Sequence, residues 1–335
     1  MTLRFAALGL DHRHIYGMAQ NLANAGAEFA GWWTEGEPGT LAGFVERFPD
    51  VPRLDRDAML ADPSIDIILI AAIPRDRAGL AIDAMEAGKH VMVDKPGCTT
   101  TEQLAQLRLV QARTRRIWAV DFSERFEVPA VTRASELVAE GAIGKVVQTV
   151  GLGPHRLNRK TRPDWFFDRM AYGGILTDIA SHQIDQFLHF TGAEAAEITL
   201  ASVGNFANPE APGLQDFGEI ALSAPEGRGY IRVDWYTPDA LPNWGDGRLT
   251  ILGTEGYIEL RKYVDVGGRP GTDHLILVNG QRCENIDASD AGLPWFRDFL
   301  DDVEDGMASL PTQAHYFTVM DLALRAQEWA EAGAS

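Results

Sequence analysis

A predicted helix near the middle of the chain carries residues suited to acid–base chemistry. The segment 173–185 begins with two glycines and contains Asp178 and His182. Residues four positions apart in a helix lie on one face, so these two side chains should be neighbours. An imidazole titrates near neutral pH and can serve as a general base. The spacing predicts a proton-transfer pair, with an exposed ion pair as the alternative.

A lysine in a turn is the second candidate for chemistry. The sequence Asp94-Lys95-Pro96 follows a predicted strand over His90 to Val93. Ligands of α/β folds bind outside the carboxyl ends of parallel strands, which is where this turn falls. Lys95 would then lie close to a cofactor and a substrate. The alternative is an ordinary surface lysine.

The turn after the first predicted strand matches a phosphate-binding loop only in part. The dinucleotide pattern G-x-G-x-x-G uses glycines to bring the backbone close to a pyrophosphate. Here Gly9 is present, but Asp11 and His14 occupy the second and third glycine positions. Asp11 either opposes a pyrophosphate, with His12, Arg13 and His14 supplying compensating charge, or caps the following helix. A His-x-His metal pair lacks a third ligand nearby in sequence, so we assign no metal site.

The end of the second predicted strand bears on cofactor choice. Trp33 is followed by Thr34 and Glu35. In dinucleotide-binding folds an acid at this point binds the ribose 2′-hydroxyl of NAD. Thr34 occupies the usual acid position and Glu35 comes one residue later, so NAD and NADP both stay open.

Composition excludes several classes of function. The chain has 335 residues, with 30 Lys and Arg against 48 Asp and Glu, a formal charge of −18. That charge argues against nucleic-acid or anionic-membrane partners, which require basic surfaces. No apolar run reaches the roughly 18 residues needed to span a bilayer, and the N-terminal segment does not resemble a signal peptide. The two cysteines give no disulfide framework. We expect a cytoplasmic protein.

Strand and helix patterns alternate over the first third of the chain. Mainly apolar runs at 3–8, 29–33, 65–72, 90–93 and 117–122 are typical of a parallel sheet covered on both faces. After about residue 125, period-two runs and tight turns predict antiparallel strands, including a hairpin at Asn279-Gly280. We therefore predict two domains, 1–122 and 123–335, with a terminal helix over 312–332 that packs back on the first.

Four motifs spread over nearly the whole chain carry a family resemblance. They are AGKHVMVDKPG at 87–97, Glu124-Arg125-Phe126 with Gly141-Ala142-Ile143-Gly144-Lys145, GGILTDIASHQID at 173–185, and GTEGYIE at 253–259. Their order and content resemble the Gfo/Idh/MocA family, which includes glucose–fructose oxidoreductase and inositol dehydrogenase. The phosphate turn departs from the family pattern, and Asp94 replaces the family's usual Glu.

The resemblance implies a fold and a chemistry. The fold is an α/β Rossmann domain with a doubly wound parallel sheet, plus an α+β domain with a large, open, mainly antiparallel sheet. Lys95, Asp178 and His182 match the family's catalytic trio. His182 would take the hydroxyl proton as hydride leaves for the nicotinamide, Lys95 would stabilise alkoxide charge, and Asp178 would orient His182 or bind a neighbouring hydroxyl. The resemblance also implies a cis Lys95–Pro96 peptide bond.

The resemblance further assigns contact residues. Cofactor contacts, to NAD or NADP, are expected from Gly9, Leu10, Asp11, His12, Thr34, Glu35, Ala72, Ile73, Pro74, Asp94, Lys95 and Pro96. Substrate contacts are expected from Arg125, His155, Arg156, Trp165, Asp178 and His182. Arg156 belongs to a basic run that either clamps an anionic substrate group or forms a loop that is solvated, as charge runs usually are, or pairs with acids of a neighbouring subunit.

The expected function is an NAD(P)-dependent oxidoreductase acting on a sugar, cyclitol or sugar-derived acid. The alternatives are a non-catalytic nucleotide-binding sensor of the same fold, and a redox-neutral enzyme that holds its cofactor tightly. The family resemblance implies a homodimer or homotetramer formed through the sheet of the second domain.

Overall fold

The structure, a computed structural model, describes residues 2–305 and 313–333 and divides the chain into two compact units. The first unit comprises Met1–Asp121, Met170–Gly173 and Pro294–Met320, and the second comprises Phe122–Arg169, Gly174–Leu293 and Asp321–Ser335. Among the described residues, no helix combines the length and the apolar composition that crossing a bilayer requires.

Strands and helices alternate through the first part of the chain. The elements are β1 (Arg4–Leu8), α1 (Ile15–Asn24), β2 (Glu28–Trp33), α2 (Leu41–Arg47), α3 (Arg56–Ala61), β3 (Ile67–Ile70), α4 (Pro74–Glu86), β4 (His90–Asp94), α5 (Thr101–Thr114) and β5 (Trp118–Asp121). In the described part of the chain these strands form one parallel sheet with the order β2-β1-β3-β4-β5. Every residue of β3, β4 and β5 is buried, which explains why these strands are apolar apart from His90, Asp94 and Asp121. The predicted doubly wound α/β fold is confirmed.

The remaining elements belong mostly to the second unit. They are α6 (Ser123–Phe126), α7 (Pro129–Ala139), β6 (Val146–Pro154), α8 (Arg169–Tyr172), α9 (Ile175–Asp178), α10 (Ala180–Thr191), β7 (Glu197–Gly204), β8 (Phe217–Ser223), β9 (Arg228–Asp234), β10 (Arg248–Gly253), β11 (Gly256–Arg261), β12 (His274–Asn279), β13 (Cys283–Ile286), α11 (Pro294–Asp305) and α12 (Gln313–Gly333). The helix predicted from 312 therefore starts at Gln313 among the described residues, and Thr312 lies outside them.

The second sheet is large and mainly antiparallel, as predicted. Its order within the described residues is β13-β12-β11-β10-β6-β9-β8-β7, and only the β6–β9 pair is parallel. The predicted hairpin joins β12 to β13, with Val278 paired to Cys283. α10 lies close to the central strands because glycines face it. A Cβ at Gly151 would stand 2.7 Å from the Gln183 side chain, and one at Gly229 would stand 2.8 Å from Phe187.

The predicted helix through Asp178 and His182 is not continuous. α9 ends at Asp178, and Ile179 separates it from α10 with φ −100° and ψ −46°. The His182 N–H bonds to the Ile179 carbonyl at 3.1 Å, and the Ser181 hydroxyl bonds to the Asp178 carbonyl at 3.3 Å. These contacts replace the regular four-residue ladder at this point. The prediction of one uninterrupted helix was therefore wrong, whereas the glycine turn before it is present.

Candidate functional site

The turn after β1 is tightly closed by contacts within the first unit. Gly9 has φ +83°, and a Cβ there would stand 2.6 Å from the Ala72 Cβ. The backbone N–H of Gly9 donates to the Trp33 carbonyl at 2.8 Å, and that of Leu10 donates to the Thr34 hydroxyl at 3.2 Å. The turn is thus fixed against the ends of both neighbouring strands, and only glycine fits its first position.

Asp94, the last residue of β4, gathers three side chains around one buried carboxylate. His12 Nδ1 lies 2.7 Å from Oδ2, and His14 Nδ1 lies 2.8 Å from Oδ1. Arg77 Nη2 donates to Oδ2 at 2.7 Å. Asp94 has no exposed surface, whereas the His12 and His14 side chains are 21% and 32% exposed. The β1 turn is therefore joined to the end of β4 through one carboxylate.

Arg77 also shapes the turn that carries Lys95. Its Nη1 lies 2.9, 2.5 and 3.2 Å from the carbonyl oxygens of Asp94, Lys95 and Pro96, and its Nε donates to the Ala72 carbonyl at 2.8 Å. The guanidinium is almost fully buried. The Lys95–Pro96 peptide is cis, which confirms the prediction. One side chain thereby binds three successive carbonyls of the lysine turn.

Burial and charge set the protonation states of this cluster. Burial would raise the pKa of Asp94, but the Arg77 guanidinium and the two imidazoles hold it well below its usual value. Burial lowers the pKa of His12 to about 4, against the attraction of Asp94. Asp94 is therefore an ionised acceptor near neutral pH, and His12 is uncharged.

The same three residues have the chemistry of metal ligands. The ligand atoms of His12, His14 and Asp94 lie within 4.8 Å of one another. The Nδ1 atom of each imidazole, however, already lies at hydrogen-bond distance from the carboxylate, and Arg77 neutralises the charge that would attract a cation. The contacts describe a hydrogen-bonded cluster, in which Asp94 is the third possible ligand that sequence spacing did not bring near the two histidines.

Asp11 does not cap α1, so that alternative was wrong. The helix begins at Ile15, and its N-cap residue His14 makes no side-chain capping bond. Burial raises the pKa of Asp11; the Arg77 charge and hydrogen bonds from the backbone of Asp11 and Ile73 oppose that rise. The carboxylate is thus held between the β1 turn and the β3–α4 turn.

The ends of β2 and β3 reach the same edge of the sheet. Thr34 is fully buried and Glu35 is exposed, so Glu35 is the acid that a ligand can reach. Ala72, Ile73 and Pro74 form the turn from β3 into α4, with Pro74 as the first helical residue. Every cofactor residue expected from the sequence therefore lies in the first unit, at the carboxyl ends of β1 to β4.

In the second unit, two glutamines cap the helix that ends in Asp178. Gly174 has φ +90° and precedes α9. The N–H of Ile175 donates to Gln215 Oε1, and that of Leu176 donates to Gln327 Oε1, both at 3.0 Å. These bonds satisfy donors that a helix N-terminus otherwise leaves unpaired. The position of Asp178 therefore depends on side chains far away in sequence.

His182 lies in the first turn of α10 and is buried. The Phe122 ring meets its imidazole edge to face, with centroids 6.4 Å apart. Gln186 Nε2 donates to the His182 carbonyl at 3.0 Å. Asp178 is partly exposed at the end of α9. The acid and the imidazole are thus close in sequence, but they sit on separate helical segments.

Arg125, an expected substrate residue, forms a buried ion pair. Its Nε and Nη2 both lie 2.6 Å from the carboxylate oxygens of Asp185, which has no exposed surface. The guanidinium also stacks on Phe126 at 4.3 Å. Bidentate geometry of this kind is strong and directional. The ion pair therefore holds α10 against α6, the short helix that contains Arg125.

The other expected substrate residues, His155, Arg156 and Trp165, follow the end of β6, and two of them pack against aromatic rings. His155 Nδ1 donates to the Gly153 carbonyl at 3.0 Å, and its ring lies 4.6 Å from Trp244. Arg156 is not a solvated charge, because its guanidinium donates to the carbonyls of Pro238 and Leu241 at 2.9 and 2.5 Å. Trp165 is partly buried and packs against Phe166, with ring centroids 6.1 Å apart.

Sequence reasoning missed Arg77, Gln215 and Gln327. Arg77 had a signal, because it lies on the buried face of α4 with Ala81 and Ala84, where a charge requires a partner. The two glutamines had none. Gln215 lies 40 residues from its partner Ile175 in the sequence, and Gln327 lies 151 residues from Leu176.

Comparisons with known proteins agree with this architecture. A family model described as "Oxidoreductase family, NAD-binding Rossmann fold" matches residues 33–122, and a second described as "GFO/IDH/MocA C-terminal domain" matches 131–259. The solved structure of a protein classed as an oxidoreductase, from Erwinia carotovora atroseptica, is 45% identical with a TM-score of 0.94, and the match covers 98% of both chains.

Levoglucosan dehydrogenase is similar both in sequence and in fold. The enzyme from Pseudarthrobacter phenanthrenivorans is 32% identical over 187 residues, which is 54% of this chain and 47% of that protein. The chain thus matches about half the length of this curated relative. A solved levoglucosan dehydrogenase in complex with NADH and levoglucosan has a TM-score of 0.80 at 20% identity, covering 100% of this chain and 98% of that one. This second likeness concerns the fold alone.

Proposed function

This chain belongs to the Gfo/Idh/MocA family, and from that premise we propose that it oxidises a hydroxyl group of a sugar, cyclitol or sugar-derived acid with a nicotinamide dinucleotide. The proposal rests on one observation: the expected cofactor residues lie together at one edge of the first sheet. They are Gly9–His12, Glu35, Ala72–Pro74 and Asp94–Pro96. The name of levoglucosan dehydrogenase, a relative that acts on a sugar derivative, supports this substrate class.

The first unit has the features that a dinucleotide requires. The strand order reverses at β1, between β2 on one side and β3 on the other, and open α/β sheets bind ligands at such a point. The turn from Gly9 leads into α1, whose N-terminus favours an anionic group. When bound, the nicotinamide accepts the hydride. The protein's contribution is to hold the substrate and to move the proton.

We assign proton transfer to His182 and charge stabilisation to Lys95. The imidazole would accept the hydroxyl proton as the carbonyl forms, and the partly exposed Asp178 would bind a neighbouring hydroxyl or orient the base. The Lys95 ammonium would stabilise the oxygen as it acquires negative charge. Arg77 would hold the turn that carries this lysine, through the carbonyls of Asp94, Lys95 and Pro96.

A substrate screen followed by substitution tests the proposal. Sugars, inositols and aldonic acids are assayed with NAD⁺ and NADP⁺ by absorbance of the reduced cofactor. With an active substrate, His182→Asn should lower kcat by about 10²- to 10⁴-fold and leave the Kd for NADH unchanged. Wild-type turnover in His182→Asn would remove the assigned base. Absence of NADH and NADPH binding at millimolar concentration would remove the oxidoreductase proposal altogether.

We further propose that NAD is preferred over NADP. Glu35 is the exposed acid at the end of β2, where a carboxylate binds a ribose 2′-hydroxyl and repels a 2′-phosphate. The Kd for NADPH should exceed that for NADH by at least about 10-fold. Glu35→Gln should narrow this ratio while Glu37→Gln, a nearby exposed control, leaves it unchanged. Equal affinities in the wild type would contradict the assignment.

We also propose that the sheet of the second unit joins copies of this chain. Across it, Ile276, Glu259, Thr250, Val150, Tyr230 and Ala221 stand side by side in register, and each is partly exposed or exposed. A single charge interrupts this row, which suits contact with another sheet. Light scattering should show a dimer or tetramer, and Val150→Glu should shift it to monomers. A monomeric wild type would refute this.

A further inference from the structure

His12 and His14 occupy the β1 turn with a geometry that glycines in a phosphate loop could not supply. We propose that the two imidazoles form a hydrogen-bond acceptor site for the ribose hydroxyls on the nicotinamide side of the dinucleotide, and that Asp94 and Arg77 create this site by fixing which ring nitrogen carries the proton. The inference rests on the proposed function, because it presupposes a dinucleotide at this edge of the sheet.

The first step is the tautomer of each ring. Asp94 is ionised, since Arg77 Nη2 donates to its Oδ2 at 2.7 Å inside the protein. An ionised carboxylate only accepts hydrogen bonds, so the His12 and His14 Nδ1 atoms at 2.7 and 2.8 Å must both carry hydrogens. A neutral imidazole has a single N–H, and therefore each Nε2 is left as an acceptor.

The second step is the charge of the His12 ring. The groups that face His12 are Asp94 at the end of β4, Lys95 in the turn after it, His14 on its own turn, and Arg77 of α4 across the shared carboxylate. Arg77 already balances the single negative charge of Asp94, so no anion remains to stabilise an imidazolium, and Lys95 opposes one. The pKa of His12, which burial lowers to about 4, agrees with a neutral ring between pH 6 and 8.

The third step is where the free nitrogens lie. The Nδ1 edge of each ring faces a carboxylate with no exposed surface. The exposed 21% and 32% of the two side chains must therefore belong largely to the opposite edge, which contains Nε2. The ring centroids are 4.3 Å apart, so the two imidazoles lie together at this turn.

The last step is the ligand that such a site selects. Pyrophosphate oxygens are acceptors without hydrogens at neutral pH, so two acceptor nitrogens cannot bind them. Ribose hydroxyls can donate. Because the strand order reverses at β1, a dinucleotide bound there would place one nucleoside on the β2 side, near Glu35, and the other on the β4 side. The imidazoles of His12 and His14 are hydrogen-bonded to Asp94 at the end of β4, which places them on the side of the second ribose.

The proposal separates three ligands in a calorimetric binding test: NADH, ADP-ribose and ADP. ADP contains the pyrophosphate but lacks the second ribose. His12→Asn is the informative variant, because an Asn amide can still donate to Asp94 but has no acceptor at the far edge. It should weaken NADH and ADP-ribose by about 10-fold and leave ADP unchanged. Thermal unfolding of the variant, monitored alongside, checks that the fold is intact.

The wild-type protein supplies a second readout. Its Kd for NADH should stay constant from pH 6.5 to 8.5, and binding heats in two buffers of different ionisation enthalpy should show no proton uptake. A loss of ADP affinity equal to that of NADH in His12→Asn, together with proton uptake, would overturn the inference in favour of a cationic pyrophosphate clamp. Zn²⁺ or Mn²⁺ binding that His12→Asn abolishes would overturn it in favour of a metal site. Unchanged NADH binding in the variant would refute the inference alone, whereas a wild type that binds no nucleotide would refute the proposed function with it.

Discussion

Each unit of the protein buries a carboxylate against a guanidinium, but the two pairs have different surroundings. In the first unit, Asp94 and Arg77 are both essentially inaccessible, yet the carboxylate also holds two partly exposed imidazoles. In the second unit, Asp185 and Arg125 sit between helical segments with Arg125 stacked on Phe126. The first pair fixes the backbone of the lysine turn and orients two imidazoles that a ligand can reach, whereas the second pair joins α6 to α10.

A second buried pair of the second unit sharpens the contrast. Lys262 Nζ donates to Glu124 at 2.7 Å and to Gln186 at 2.9 Å, and Gln183 donates to Glu124 at 2.8 Å. All four side chains are buried. A polar network of this kind specifies how α10 packs on the sheet, because a partner lost from it leaves a charge uncompensated. A buried charge thus affects ligand binding only where it contacts side chains that are themselves partly exposed.

The largest effect should come from removing the cation of either network. Arg77→Met and Lys262→Met should each lower the free energy of unfolding by about 3–5 kcal/mol, because each leaves a buried carboxylate without its cation. Arg77→Met should also weaken NADH binding by at least about 10-fold, whereas Lys262→Met should leave the Kd unchanged. Urea unfolding and calorimetry measure the two quantities. Equal effects of both variants on NADH affinity would erase the distinction between the networks.

Much of the first unit could be predicted from local sequence. The β4 strand, the turn at Asp94 and the cis Lys95–Pro96 bond follow from a buried apolar run and a recognisable motif. The partners of Asp94 could not be predicted, because His14 lies 80 residues away and meets it only when β1 and β4 share one sheet. In the sequence alone, Asp94 is a simple replacement for Glu, and its role in orienting the imidazoles becomes visible only in the fold.

The second unit was harder to predict for two physical reasons. β6 contains two glycines and ends in proline, so its sequence does not favour a strand, and only its pairing with β9 and β10 makes it one. The break at Ile179 was hidden as well, since Ser181 is as compatible with a regular helix as with the contact to the Asp178 carbonyl. In both places tertiary contacts override local preference.

Acid should destabilise the protein through the first unit. Burial lowers the pKa of His12 and of His90 to about 4, so the folded state keeps both rings neutral while the unfolded chain binds protons below its pKa of about 6.5. Stability is therefore full above about pH 6.5 and falls as pH decreases towards 4, by on the order of 2–3 kcal/mol for each ring. Calorimetric Tm values across this range, in wild type and His12→Asn, measure the effect. The variant should lose less stability on acidification, and parallel curves for the two proteins would contradict the neutral state of His12.

A smaller effect should follow from neutralising Asp11. The carboxylate accepts a hydrogen bond from the Ile73 backbone, and burial raises its pKa. Asp11→Asn keeps an acceptor for that bond and removes a charge that would repel a pyrophosphate. We expect NADH and ADP both to bind about 3- to 10-fold more tightly at pH 7.5. Unchanged or weaker binding of ADP would mean that the carboxylate does not face the phosphates.

The smallest effect compares two glutamines of α12. Gln327 Oε1 accepts from the Leu176 N–H, while Gln313 binds both the N–H and the carbonyl of Trp118. Each Gln→Ala change removes a partner from buried backbone and should cost about 1 kcal/mol of stability. The two glutamines bind different elements. Gln327 caps α9, which ends at Asp178, whereas Gln313 binds Trp118, the first residue of β5. Gln327→Ala should therefore reduce kcat a few-fold at unchanged NADH affinity, since small displacements of a catalytic group slow turnover. Gln313→Ala should leave kcat unchanged at the same loss of stability. If both variants, or neither, reduced kcat, capping of α9 would not be what positions Asp178.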